Sequence, residues 1–342
     1  MSLLGRRLAR LAGTRSPSTA LRAASRELRL RRRDADLGRL LDSSAPFAVG
    51  PFLGEVGYEL LYWRPLVLRL LREHDVDPAR PLVVGRGGSG AWYEPRARRS
   101  VDALELADAE EIRAGMEARV GRTGHRKQTD VDELDRTILE RAGAGSLPVL
   151  HPSTMFWRMR FLWEGLRPPE DALLLGDYEL LPVSTLDPEL EHRLPERFVA
   201  VKLYFNECLP DRGDARERLS GVVRELARRT PVVLLEAGVS VDEHADWRVE
   251  EENVVHVADL LRPATNLSQQ AAIVARADAL VSTYGGFSYL GPFLDVPTVA
   301  LAEAGEAYAA HERVLRAVMP GARFERCGLD AADVVESVGR AG

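Results

Sequence analysis

Ala279-Leu280-Val281-Ser282-Thr283-Tyr284-Gly285-Gly286-Phe287-Ser288 is an apolar run that ends on hydroxyl residues and a pair of adjacent glycines. The run reads as a buried strand of a parallel sheet, and a short helix is expected to open at Ser288–Leu294. In an open parallel sheet, ligands sit beyond the carboxyl ends of the strands. Two glycines there let backbone approach a ligand with no Cβ in between. The N–H groups of a following helix favour an anion at the same place. Ser282, Thr283 and Ser288 add hydroxyls, and Tyr284, Phe287 and Tyr289 add aromatic surface. The loop is therefore a candidate pyrophosphate cradle, and the plain alternative is a tight turn.

Working outward, the second half of the chain alternates strands and helices. Strands are predicted at Phe198–Leu203, Val232–Leu235, Val254–Val257, Ala279–Ser282 and Thr298–Leu301. Helices are predicted at Ala215–Arg229, Ser268–Ala277, Glu306–Val318 and Ala331–Val338. Strands this apolar, separated by helices, require a parallel sheet covered on both faces. The first half repeats the alternation, with strands at Ala45–Val49, Pro81–Gly85 and Leu147–Leu150. Helices are expected at Tyr58–His74, Ala109–Val120, Val131–Ala142 and Met155–Trp163. Pro65 marks either a kink or a first turn in Tyr58–His74. The proline-bearing stretch Leu166–Pro195 reads as an interdomain connection. The expected division is a basic extension at 1–44, an N-terminal α/β lobe at 45–190 and a C-terminal lobe at 191–342.

The run from Asn266-Leu267-Ser268-Gln269-Gln270 through Ala277-Asp278-Ala279-Leu280-Val281-Ser282-Thr283-Tyr284-Gly285-Gly286 to Asp295-Val296-Pro297-Thr298-Val299 resembles the donor-binding region of GT-B-fold glycosyltransferases. Asp295 stands where that superfamily usually has glycine. The resemblance covers about 60 residues well and the remainder only as a fold pattern. It implies two Rossmann-like lobes facing a central cleft, with a nucleoside-diphosphate sugar as co-substrate on the C-terminal lobe. It also implies a small-molecule or glycan acceptor on the N-terminal lobe. Metal independence is implied as well, with helix dipoles and basic residues in place of a cation. No cofactor or metal site is expected, and the chain holds neither a P-loop lysine nor a paired-cysteine motif. A nucleotide-sugar epimerase, another transferase on the same fold and a non-catalytic sugar-nucleotide sensor remain the alternatives.

On the N-terminal lobe the corresponding loop is Gly50-Pro51-Phe52-Leu53-Gly54-Glu55-Val56-Gly57-Tyr58-Glu59. An inverting sugar transfer needs one group to take the acceptor's proton, and a carboxylate can do so. Glu55, flanked by Gly54 and Gly57, is the first candidate base and Glu59 the second. The competing reading has both facing the positive end of the first helix. Gly54, Gly57, Tyr58, Arg86 and Arg158 are the expected acceptor-side residues. Lys202, Tyr204 and Asn206, at the end of the C-terminal lobe's first strand, are expected near the donor, with Lys202 and Arg86 as counter-charges.

The bulk numbers exclude other classes. With 342 residues, 45% of them hydrophobic and 29% charged, the chain is an ordinary globular protein of about two domains. A net charge of −6 gives no footprint for nucleic acid. Two distant cysteines, Cys208 and Cys327, fit a cytoplasmic protein with no disulfide framework. Residues 1–33 hold ten arginines against one acid, with leucines interleaved. That composition suits peripheral contact with an anionic membrane face, and it resembles a transit peptide. A mobile basic tail, or a helix packed through its leucines, is the plainer reading.

Overall fold

A computed structural model describes residues 33–236, 249–303 and 308–341. The chain divides into two compact units, 1–45 and 46–342. Of the first, the described part carries a helix at 33–42. The expectation for 1–33 therefore lies, Arg33 aside, outside the described residues. Among the described residues of 46–342 there are two sheets, and every strand pairing in them is parallel.

The first sheet is built from β1 (Phe47–Val49), β2 (Pro81–Gly85), β3 (Arg99–Asp102) and β4 (Val149–Leu150), in the order β3-β2-β1-β4. The second holds β5 (Val199–Lys202), β6 (Val232–Leu234), β7 (Val254–His256), β8 (Ala279–Thr283), β9 (Thr298–Leu301) and β10 (Phe324–Cys327), in the order β10-β9-β8-β5-β6-β7. In each sheet the chain winds outward from its first strand, then returns to that strand's other side. The reversal leaves a crevice at the carboxyl end, between β1 and β4 in one lobe and between β5 and β8 in the other. These topological switch points are where such sheets bind ligands.

Apolar composition explains the central strands. β1, β2, β5, β6, β8 and β9 are buried along their whole length. Two edge strands, β3 and β10, escape the sequence reading. Arg99-Ser100-Val101-Asp102 and Phe324-Glu325-Arg326-Cys327 are edge strands that remain partly exposed and carry charge, so neither has an apolar run.

Helix α1 spans residues 56–73 in three pieces. An α-turn at Val56–Tyr58 leads into a π-helical turn at Glu59–Trp63, and then into the α-helix Arg64–Glu73. The Arg64 amide bonds back to the Glu59 carbonyl, one residue beyond α-helical spacing. Pro65 sits in the first turn of the last piece, where its missing N–H is harmless. The further helices are α2 (Ala103–Leu106), α3 (Ala109–Thr123), α4 (Glu133–Arg141), α5 (Ser153–Trp163), α6 (Pro188–Arg193), α7 (Ala215–Ala227), α8 (Asn266–Val274), α9 (Leu290–Phe293), α10 (Ala309–Val318) and α11 (Ala331–Ala341).

Each lobe has its own core. Ala48, Leu82 and Val84 pack with Ile112, Met116 and Ile138 of α3 and α4. Val199, Val201 and Val281 pack with Leu219, Val222 and Leu226 of α7 and with Val334 of α11. Burying each Val, Leu, Ile or Met side chain among these contributes about 1.5–3 kcal/mol. No helix among the described residues is long and apolar enough to cross a membrane.

Candidate functional site

At the N-terminal switch point the chain leaves β1 through Gly50, whose φ is 115°. A Cβ there would lie 2.3 Å from the Val84 carbonyl oxygen, so only glycine fits. The Gly50 amide donates to the Leu150 carbonyl at 2.9 Å, and the Phe52 amide donates to the Val84 carbonyl at 2.9 Å. The loop is thereby laid across the ends of β4 and β2. It reaches α1 at Glu55, the N-cap residue, in extended conformation. The Glu55 carbonyl accepts from the Tyr58 and Glu59 amides, but its carboxylate makes no capping bond. That carboxylate is exposed and lines a cavity of about 380 Å³.

The cavity walls come from both lobes. Phe52, Leu53, Met116, Met155 and Phe156 supply apolar surface, and Arg86, Arg126 and Lys127 supply cations. Asn206, Glu207 and Tyr308 close it from the C-terminal side. Arg86 donates from Nε (3.1 Å) and Nη2 (2.8 Å) to the Gly54 carbonyl, so it tethers the loop as well as lining the cavity. The Lys127 ammonium stands 5.1 Å from the centre of the Tyr58 ring. Burial, and next the charge of Glu55, push the Tyr58 phenol well above its ordinary range.

Glu59, the second candidate base, lies elsewhere. It is buried inside the N-terminal lobe, and one carboxylate oxygen accepts from the Tyr93 hydroxyl at 3.0 Å. Burial pushes its carboxyl up to about 7, against the Tyr93 bond and the nearby arginines. It faces protein, not the cavity. On α5, Met155 and Phe156 reach the cavity wall, and Arg158 is not among the lining residues.

The C-terminal switch point is closed more tightly. The Thr283 hydroxyl donates to the Tyr204 carbonyl at 2.7 Å and accepts from the Tyr204 amide at 3.0 Å, joining the ends of β8 and β5. Ser282 bonds the Thr283 carbonyl, and Ser288 bonds the Gly285 carbonyl at 2.7 Å. Tyr284 is buried and donates to Glu312. Lys202 is buried, with its ammonium 5.8 Å from the Phe287 ring. The loop's hydroxyls and Tyr284 thus serve the fold. What it presents to the cleft is Gly285, Gly286 and Tyr289, lining a small recess with Tyr204, Asn206, Glu55 and Gly57.

Close approach is the reason for both glycines. Gly285 is extended, with φ 165°, so no left-handed conformation is demanded of it. A Cβ on Gly285 would lie 2.6 Å from the Tyr204 hydroxyl, and one on Gly286 would lie 2.9 Å from the Gly57 amide nitrogen. Gly57 meets the same constraint in reverse, since its Cβ would sit 2.6 Å from the Gly286 Cα. Here the two lobes touch backbone to backbone. Asn206 braces the loop, donating to the Tyr284 carbonyl and accepting from the Cys208 and Leu209 amides.

No protein family matches the chain. No curated protein matches it either. Among solved structures it is similar to ADP-heptose lipopolysaccharide heptosyltransferase II of E. coli, at 13% identity and a TM-score of 0.48, covering 86% of this chain and 98% of that one. It is similar also to a family 9 glycosyl transferase from Veillonella parvula DSM 2008, at 14% identity and a TM-score of 0.44, covering 88% and 92%. A third is a putative UDP-N-acetylglucosamine 2-epimerase from Listeria monocytogenes, at 13% identity and 0.37, covering 87% and 90%. The two-lobed α/β assignment stands on the sheet topology itself.

Several residues of the site have no signature in the sequence. Glu207 joins Glu55 as a second exposed carboxylate on the cavity wall. Burial first, then these two acids, raise the Tyr308 phenol to about 12. Tyr308 is left-handed, with φ 65°, a conformation that costs a bulky residue free energy. His311, on α10, accepts or donates a 2.7 Å bond with the Tyr62 hydroxyl and lines the recess beside Glu55. Burial, then the charge of Lys127, hold its imidazole down at about 4, so it is neutral at physiological pH. Only the burial of its surroundings reveals these roles, and a scan for motifs passes over them.

Proposed function

We propose that this chain is a glycosyltransferase in which Glu55 is the general base. The observation that carries the reading is one carboxylate shared by two recesses. Glu55 lines the large cavity at the N-terminal switch point, and it lines the recess formed by Gly285, Gly286 and Tyr204 at the other. A group so placed stands between an acceptor on one side and a donor on the other.

In this reading a nucleoside-diphosphate sugar lies along the β5–β8 crevice, with its diphosphate against the Gly285-Gly286 backbone. The acceptor fills the cavity of about 380 Å³. Its hydroxyl gives its proton to Glu55 as its oxygen bonds the anomeric carbon. The carbon–oxygen bond to the diphosphate breaks, and the leaving group takes the electron pair. Attack from the face opposite the leaving group inverts the configuration. Arg86, Arg126 and Lys127 supply positive potential at the cavity, so the proposal assigns the charge compensation to side chains and not to a metal ion.

The test combines binding and turnover. UDP, GDP, TDP, CDP and ADP are screened by thermal shift, with and without magnesium. A ligand at 100 times its Kd raises stability by about 2.7 kcal/mol. The diphosphate that binds names the base, and its sugar conjugates are then assayed for release of free diphosphate by wild type and Glu55→Gln. Binding with turnover that collapses in the variant supports the reading. Binding with no turnover points to a sensor, and no binding removes the donor site.

A further inference from the structure

Beside the cavity lies a buried polar cluster of the N-terminal lobe: Gln128, which reaches the cavity wall, and behind it Arg119, Asp132, Asp135 and His151, together with the Pro51–Leu53 backbone. All five side chains are buried. Gln128 is 2% exposed and its amide is fully used. Its oxygen accepts from the Leu53 amide at 2.9 Å. Its nitrogen donates to the Pro51 carbonyl at 2.8 Å and to Asp135 Oδ1 at 2.8 Å. These partners fix the amide's orientation, because an N–H must meet an oxygen and a carboxylate must meet a donor.

Asp135 in turn is held from every side. Arg119 Nη2 donates to it at 3.0 Å, and the Asp132 amide donates at 3.1 Å. His151 Nε2 faces it at 3.2 Å. The Ser153 amide donates to His151 Nδ1 at 3.1 Å, so the lone pair is on Nδ1 and the proton on Nε2, aimed at Asp135. Arg119 Nε also donates to Asp132 at 2.6 Å. A buried network with every member satisfied is rigid, because each alternative arrangement strands a polar group in low dielectric. Here that rigidity is delivered to two backbone groups of one loop.

The loop is the one that ends at Glu55. Gln128 fixes residues 51 and 53, and Arg86 fixes the carbonyl of residue 54. Gln128 and the two residues immediately before it, 126 and 127, line the same cavity. One side chain therefore sets the distance between the loop carrying the carboxylate and the loop carrying two of the cations. We propose that Gln128 is a positioning residue: it transmits the rigidity of the Arg119–Asp132–Asp135–His151 cluster to the 51–55 loop and so aims Glu55 into the cavity. The catalytic part of this inference rests on the proposed function; the structural part does not.

The experiment uses the full chain with Gln128→Met, which keeps length and loses all three bonds. Gln128→Glu serves as a second variant that keeps an acceptor for Leu53. Hydrogen–deuterium exchange is followed in peptides covering 50–58 and 279–289, and donor turnover is followed with the nucleotide sugar found by the screen above. In Gln128→Met we expect exchange in 50–58 at least tenfold faster and 279–289 unchanged. The donor KM should stay within about twofold while kcat falls by about tenfold to a hundredfold, the scale of a small misplacement of a reacting group. In Gln128→Glu we expect kcat to recover as the pH is lowered, because a protonated carboxyl regains a donor. Unchanged exchange in 50–58 overturns the proposal, as does unchanged kcat or an equal loss in donor affinity and kcat. If wild type turns over no nucleotide sugar, the proposed function falls, and the exchange result alone still decides whether Gln128 holds the loop.

Discussion

The two switch points begin from the same topology and are finished differently. Between β5 and β8 the loop's hydroxyls are turned inward, and the surface offered to the cleft is the two glycines with Tyr204, Asn206 and Tyr289 around them. Between β1 and β4 the backbone is itself pinned from behind, and the surface offered is a carboxylate and cations. Under the proposed function the first would receive the donor and the second would take the acceptor's proton. The contrast shows that a loop is made functional by what fixes it as much as by what it displays.

The largest test of that contrast is Glu55→Gln. If the N-terminal loop moves the proton, turnover should fall by about 10²- to 10⁴-fold, with nucleoside-diphosphate binding unchanged in calorimetry. A loss of binding equal to the loss of turnover would show that both loops serve the donor. Next, Asp135→Ala strips the buried cluster of its hub. Arg119 keeps Asp132, but its Nη2, Gln128 Nε2, His151 and the Asp132 amide all lose the buried carboxylate they share, which should cost about 3–5 kcal/mol in urea denaturation. A cost under about 1 kcal/mol would mean that the cluster does not brace the loop.

The sequence made the C-terminal loop visible because its residues are contiguous: a strand, two glycines, then a helix. It made Glu55 visible for the same reason, as an acid between glycines near a helix start. It did not reveal that Thr283 and Ser288 bond inward, since a hydroxyl's partner depends on β5 and on the loop's own carbonyl. Nor did it reveal Gln128, whose partners lie at positions 51, 53 and 135 and meet only in the fold. Glu59 is the instructive case. Its amide bonds the Glu55 carbonyl at ordinary helical spacing, but Glu55 is the extended N-cap outside the helix, so the two carboxylates do not share a face, and the Glu59 side chain goes into the core.

That burial gives the third test. The Glu59 carboxyl is raised from 4.5 to about 7 in the folded chain, so the protonated form is the one the fold favours. The associated stability is present below about pH 4.5 and is lost as the pH rises through about 7. Glu59→Gln should flatten this part of the stability curve, by on the order of 1–3 kcal/mol at pH 8. Guanidinium melts at pH 5 and pH 8 measure it, and a parallel slope in wild type and variant would refute it. His311, held down at about 4, contributes in the opposite sense: its stability is lost as the pH falls from about 6.5 toward 4.

The smallest effect is the sharpest on the C-terminal side. Ser288→Ala removes a hydroxyl bonded to the Gly285 carbonyl. We expect a loss of about 0.5–1.5 kcal/mol in stability and no change in diphosphate affinity. A selective loss of affinity would mean that the hydroxyl swings out to the ligand, and the difference between the two loops would narrow.

The π turn at Glu59–Trp63 has a consequence for how this site tolerates change in length. It places one more residue in helix α1 than an α-helix of the same rise would hold. Because each residue advances an α-helix by about 100°, that extra residue sets the phase of everything upstream relative to everything downstream. The buried face of Arg64–Glu73, with Leu66, Val67, Leu70 and Leu71, is phased to the core of the N-terminal lobe, while Glu55 and Gly57 face the cleft and Gly286. A chain shortened by one residue here would keep its composition, its caps and its apolar face, yet point the carboxylate and the lobe contact in a different direction. The helix therefore works as a keyed shaft, cut so that the cleft end and the core end mesh at only one setting.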